Sequence, residues 1–247
     1  TLINVPISIA SALAASSVPA LTAAYTNGKK DAVRAQINTA IRFIMVVAFP
    51  CAVGMGVLAS PILQLLFRDS SELAASMLQL GAVSIVFFSL STLSNGLLQG
   101  INRMREPVKN ALIALVLHIG LLVVLMYAFK LNIYAVVYAN AFFGLLMCLL
   151  NAYSVRKYSG YQQEIKRTFV IPGISALIMG VAVYLSYQLF LYILRVNAIA
   201  TVFSILIGVV VYAVVLLLLK GLTEEEILKF PKGAALVRLA RKLHLLR

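Results

Sequence analysis

Seven apolar stretches dominate the chain, at roughly 2–25, 41–66, 74–99, 107–129, 132–154, 169–193 and 197–219. Each is long enough to cross a hydrocarbon core as a helix, which takes about 20 residues. Hydrocarbon offers no partner to a bare peptide group, so only helices and closed barrels span it, and runs of this length read as helices. The expectation is an all-α, polytopic membrane protein with seven transmembrane helices. Composition agrees, since 62% of the 247 residues are hydrophobic and only 12% are charged, too apolar a balance for a soluble domain.

The net charge of +13 would suggest nucleic acid in a soluble chain, but here its distribution excludes that partner. Basic residues alternate between rich and poor loops. The rich loops carry Lys29, Lys30, Arg34 and Arg42, then Arg103, Arg105 and Lys109, then Arg156, Lys157, Lys166 and Arg167; the tail after 219 is also rich. The poor loops hold Arg68, Lys130 and Arg195. The positive-inside rule then puts the rich loops and the tail in the cytoplasm and Thr1 outside.

The segment 95–110, NGLLQGINRMREPVKN, is the polar interruption around which the pattern turns. A helix is expected to end near Gly100. Arg103, Arg105 and Lys109 would sit among headgroups, and Pro107 would open the next helix, where its missing N–H costs nothing. The tail 222–247 reads as a separate amphipathic helix. Thr223 and Glu226 have capping-box spacing, and Leu236, Leu239, Leu243 and Leu246 form a stripe opposite Lys232, Arg238, Arg241 and Lys242. Such a helix would lie on anionic membrane lipids of the inner leaflet.

No catalytic constellation is present. The two histidines, His118 and His244, are far apart, and HExxH, CxxC and Walker-type motifs are missing. All eight acids fall in loops or the tail, so no predicted span carries a carboxylate to relay a proton or hold sodium. No catalytic, cofactor-binding or metal-binding residue is assigned, and no enzymatic activity is expected. Cys51 and Cys148 lie in apolar runs and read as packing residues.

The polar residues inside the spans are the candidates for function. The first span is Ala-rich and carries Asn4, Ser8, Ser11, Ser16, Ser17 and Thr22 with Pro6 and Pro19. Small residues let helices approach, and prolines bend spans that line cavities. Asn4, Ser8, Ser11, Asn95, Gln99, His118 and Asn140 are the candidate cavity-lining residues. His118, Asn140 and Asn151 have a structural reading beside the functional one, as interhelical hydrogen-bonding groups.

LINVPISIASALAASSVPALTAAY, a basic loop and RFIMVVAFPCAVGMGVLASPILQLLF together resemble the C-terminal half of the polysaccharide biosynthesis proteins. That group includes stage V sporulation protein B-like transporters and MurJ-type lipid II flippases, within the multidrug/oligosaccharidyl-lipid/polysaccharide exporter superfamily. LLQGINRMREPVKNALI is similar to the family's Gln-Gly, basic pair, Pro segment, and LTEEEILKFPKGAALVRLARKL to the sporulation-type ending.

The resemblance implies about fourteen spans in two pseudo-symmetric lobes, of which this chain would supply spans eight to fourteen. It divides the chain into lobe helices at 1–156 (lacking the lobe's first helix), two additional transmembrane helices at 157–221, and a cytoplasmic basic amphipathic tail at 222–247. The start at Thr1 rather than Met fits the C-terminal part of something longer. The implied activity is flipping of a polyprenyl-pyrophosphate-linked glycan, such as lipid II, across a bacterial plasma membrane by alternating access. The partners would be that glycan lipid and the missing N-terminal lobe of the same polypeptide.

The family's cavity arginine near the start of span eight would fall at or before Thr1. Within the predicted spans the only Lys and Arg are Arg42 and Lys109, each in the first residues of its span and grouped with the basic loops, so no cation sits at mid-span and the cationic site is left to the other lobe. A drug/cation antiporter of the same superfamily would need an intramembrane acid that this half does not offer. A complete seven-helix receptor or scaffold is the alternative from another class.

Overall fold

In the computed structural model, residues 2–68 and 71–221 are described, and they are almost entirely helical. The expected amphipathic helix of the tail lies outside the described residues. Helices α1 (Asn4–Thr26), α2 (Lys30–Val57), α6 (Arg105–Tyr127), α7 (Ile133–Ser159), α8 (Ile171–Leu194) and α9 (Asn197–Leu218) are each long and apolar enough to span a bilayer. The short α3 (Ala59–Phe67) follows α2 after a break at Leu58. A seventh span is the pair α4 (Glu72–Ala82) and α5 (Ser84–Gly100), bent by 45°. At 17 residues α5 reaches only about 26 Å, so the crossing needs both halves. The bend falls where the Ser84 hydroxyl donates to the Gly81 carbonyl, the kind of back-bonding that opens a helical ladder. The protein is thus a polytopic α-helical membrane protein.

Helix α5 sits at the centre, packed on α1, α2 and α7, while α6 leans mainly on α7. Helices α8 and α9 form a hairpin docked on α2. The main core gathers Ala14 and Leu21 of α1, Ile37, Ile44 and Met45 of α2, and Leu93 and Leu97 of α5. A second core joins Val46 of α2 to Met179 and Val183 of α8 and Tyr212 of α9. The outward faces of α6, α8 and α9 carry exposed Leu, Val and Ile throughout, as lipid contact demands.

Two close approaches set the packing. Gly96 and Gly100 form a G-x-x-x-G on the α1 face of α5, and a Cβ on Gly96 would stand 2.6 Å from the Ala14 Cβ. Beside it the Thr22 hydroxyl donates to the Gly100 carbonyl at 3.0 Å. The hairpin is held to α2 by the Tyr212 hydroxyl on the Val46 carbonyl (2.8 Å) and by Arg42 Nη2 on the Gly221 carbonyl (2.6 Å).

Arg42 corrects the sequence reading. Assigned to a loop, it lies inside α2 and is only 4% exposed. Helix α2 begins eleven residues earlier than the apolar stretch, at Lys30, so its charged first turns continue the span rather than precede it. The expected stop at Gly100 and the placing of Pro107 in the first turn of α6 both hold.

Candidate functional site

Helix α1 divides its residues between two faces. Pro6, Ala10, Ala14, Ser17 and Leu21 recur every three or four positions and are buried. Asn4, Ser8, Ser11 and Ala15 recur in the same rhythm on the other side and are exposed. The Ser8 hydroxyl donates to the Asn4 carbonyl at 2.8 Å, Ser11 to Ile7 at 3.3 Å and Ser16 to Leu13 at 2.9 Å. Each donor is thereby satisfied within the helix, and each oxygen still offers lone pairs outward. At 1.5 Å per residue these hydroxyls extend about 6 to 18 Å along the axis from Asn4.

Asn4 shares a pocket of about 460 Å³ with Asn140 of α7, closed by Ile7, Met77, Ser84 and Phe88. Both asparagines are exposed, and neither side chain forms a hydrogen bond among the described residues. Gln99, near the other end of α5, is likewise exposed. Asn4 and Asn140 are therefore brought together, Ser8 and Ser11 continue the Asn4 face of α1 beyond that pocket, and Gln99 lies apart from them on α5.

Asn95 and His118 have different surroundings. Asn151, fully buried, donates to the Asn95 Oδ1 at 2.7 Å and accepts from the Asn110 Nδ2 at 2.9 Å. Asn110 also donates to the Ser154 hydroxyl at 3.1 Å, so a chain of amides ties α5, α6 and α7 together. His118 is half-buried, with Nδ1 2.9 Å from the Ala139 carbonyl and its ring edge-on to Phe143 at 5.6 Å. A carbonyl can only accept, so Nδ1 carries the proton and links α6 to α7. Asn110 and Ser154 are members of this network that the sequence reading did not single out. Asn110 stands three residues after Pro107, and in one dimension it looks like the last polar residue of the loop.

The loop-rich end is strongly basic. Arg34, Arg103, Lys157 and Lys30 gather there around Tyr25 and Tyr158. On the same side the Tyr161 hydroxyl donates to Asn38 Oδ1 at 2.9 Å. Burial pushes that hydroxyl up to about 12, with Glu164 acting in both directions, its backbone hydrogen bond lowering and its charge raising the value. Among the described residues no three His, Cys, Asp or Glu side chains converge as a metal site would require.

Among the described residues, apolar helices long enough to span a bilayer, with exposed Asn and Ser on α1, define a polytopic α-helical membrane protein. The chain belongs to the lipid II flippase MurJ family, whose model, described as "Lipid II flippase MurJ", matches residues 2–190. It is 28% identical over 201 residues to the lipid II flippase MurJ of Bacillus subtilis, covering 76% of this chain and 36% of that protein. It is 29% identical over 163 residues to the probable lipid II flippase MurJ of Bdellovibrio bacteriovorus, covering 62% of this chain and 31% of that protein. The chain thus aligns with about a third of the length of each.

Proposed function

We propose that this chain supplies one lobe, and a trailing helix pair, of a transporter that flips lipid II or a closely related polyprenyl-pyrophosphate glycan. The carrying observation is the uncovered strip formed by Asn4, Ser8, Ser11 and Asn140. An amide facing hydrocarbon without a partner costs roughly 2–7 kcal/mol, so this surface belongs against water or a polar headgroup. A sugar–pyrophosphate headgroup has the converse problem, because it cannot enter hydrocarbon without losing its hydration. A wet chamber walled by this strip and by a second lobe meets both demands while the polyprenyl tail stays in lipid. Alternation of the chamber between the two leaflets is the transport step.

Under this reading the chain acts as a transporter rather than a catalyst. It sits in a bacterial plasma membrane with the basic end in the cytoplasm and Thr1 outside. Residues 1–156 form the lobe and 157–221 the added pair. The second lobe is the required partner. Arg42 is spent on the Gly221 carbonyl at the foot of the hairpin, which supports leaving the pyrophosphate's cationic partners to that other lobe.

The test is flipping of fluorescent lipid II in proteoliposomes by the two-lobed transporter. Replacing Ser8, Ser11 and Asn140 together by Leu is expected to lower the rate at least tenfold with insertion unchanged. A rate equal to wild type would contradict the reading.

A further inference from the structure

At the basic end, some 21 Å along α1 from Ser11, lies a second pocket that the transport reading does not use. It measures about 460 Å³ and is lined by Tyr25 in the last turn of α1 and Gly28 after it, Lys30, Val33 and Arg34 of α2, and Tyr158, Ser159 and Gly160 at the end of α7. Among the described residues two cations line it and no acid does. The nearest carboxylate contact of Arg34 is Asp31 at 3.8 Å, a long pair whose acid is wholly solvent-exposed and contributes little neutralisation. Two more cations crowd the same tyrosine. The Arg103 guanidinium stands 4.3 Å from the Tyr158 ring centre and Lys157 Nζ 5.5 Å from it. Glu106, near Arg103 in sequence, is already engaged by Lys109 at 3.3 Å.

Local backbone geometry keeps the pocket open. Gly160 ends α7 with φ +65, and a Cβ there would stand 2.8 Å from Arg34 Nη2. The guanidinium occupies space that any other residue would fill. Two cations lining the pocket and two more against the Tyr158 ring on its wall repel one another, and a bound anion relieves that repulsion.

We propose that this pocket binds a phosphate group, with Lys30 and Arg34 as its direct partners and Arg103 and Lys157 supplying the surrounding field. The guanidinium offers paired N–H donors to two phosphate oxygens, and the lysine a mobile point charge. The site is built on the last turns of α1 and α7, where those spans end, so a membrane lipid headgroup and a soluble phosphate are the two sources of this chemistry.

The experiment is thermal melting of the detergent-purified protein with dioleoyl-phosphatidylglycerol, with dioleoyl-phosphatidylcholine, or with inorganic phosphate at chloride-matched ionic strength. A specific ligand raises the melting temperature of the state that binds it. The variants are K30Q, K30Q/R34Q, and R105Q/K109Q as a control that removes two charges from the same end. Because Lys30 is exposed, K30Q keeps the apo melting temperature and guards against misreading a folding defect.

The expected result is stabilisation of wild type and R105Q/K109Q by phosphatidylglycerol or phosphate, at least a tenfold weaker half-effect concentration in K30Q, and none in K30Q/R34Q. A response to phosphatidylglycerol alone assigns a lipid headgroup, and a response to phosphate as well assigns a free anion site. An equal loss in R105Q/K109Q, equal stabilisation by phosphatidylcholine, or no stabilisation of wild type would each overturn the proposal.

Discussion

Asn140 and Asn151 show what a single residue's letter conceals. They sit on one helix eleven positions apart, and the sequence weighed both alike as interhelical links or substrate contacts. In the structure Asn151 is fully buried at the hub of three amides, while Asn140 opens onto a pocket with Asn4. The difference lies in which neighbour each faces, and that is set by the packing of α5 against α7 rather than by anything local. Asn151→Ala takes away the donor to the Asn95 Oδ1 and one of the two acceptors of the Asn110 amide, which keeps Ser154, and an unmet buried polar group costs about 1–3 kcal/mol. Chemical or thermal unfolding in detergent should register a loss of that size, whereas Asn140→Ala should leave stability within about 0.5 kcal/mol. Equal effects would mean that the amide chain does not hold the three helices.

Three other residues explain an apparent exception to the charge pattern. Arg68, Lys130 and Arg195 are the basic residues of the poor loops, and all three adopt left-handed backbone with φ of 53, 52 and 52 just after α3, α6 and α8. Arg68 and Arg195 cap the C-termini of α3 and α8, where unpaired carbonyls favour a cation, and Lys130 lies three residues beyond α6.

At the scale of elements, the spans were legible because hydrophobic length is written directly in sequence. Where they begin was less so. The early start of α2 at Lys30, and with it the burial of Arg42, was hidden because charged residues can extend a helix beyond the bilayer as easily as end it. The G-x-x-x-G of α5 was also passed over, since NGLLQG reads equally well as the start of a polar turn. Its role is geometric. Gly96 lets α1 and α5 touch backbone to backbone, and a Val there must displace Ala14. Gly96→Val should cost about 1–3 kcal/mol by overpacking, visible as a lower melting temperature, while Gly120→Ala, with open space around it, should not. Tolerance of Gly96→Val would show that the two helices are not in close contact in the membrane.

For the whole molecule, the all-α membrane class was available from hydropathy alone, and the family from motifs spread along the chain. The candidate surface was only partly available. The polar rhythm of α1 could be counted, but which side would be left uncovered depends on α5 and α2 taking the other side. A cysteine at exposed Met104, in a chain lacking Cys51 and Cys148, should be labelled by an impermeant thiol reagent only after the membrane is opened. Labelling from outside intact cells would invert the topology.

The central claim is that the hydroxyl and amide face of α1 borders water inside the membrane. Single cysteines at Ser8 and Ser11, with Val116→Cys on the exposed apolar face of α6 as the lipid-facing reference, test it most directly in the two-lobed transporter. The account predicts rapid modification at 8 and 11 by a charged methanethiosulfonate, slowed when lipid II is present, and none at 116. Positions 8 and 11 as inert as 116 would contradict it.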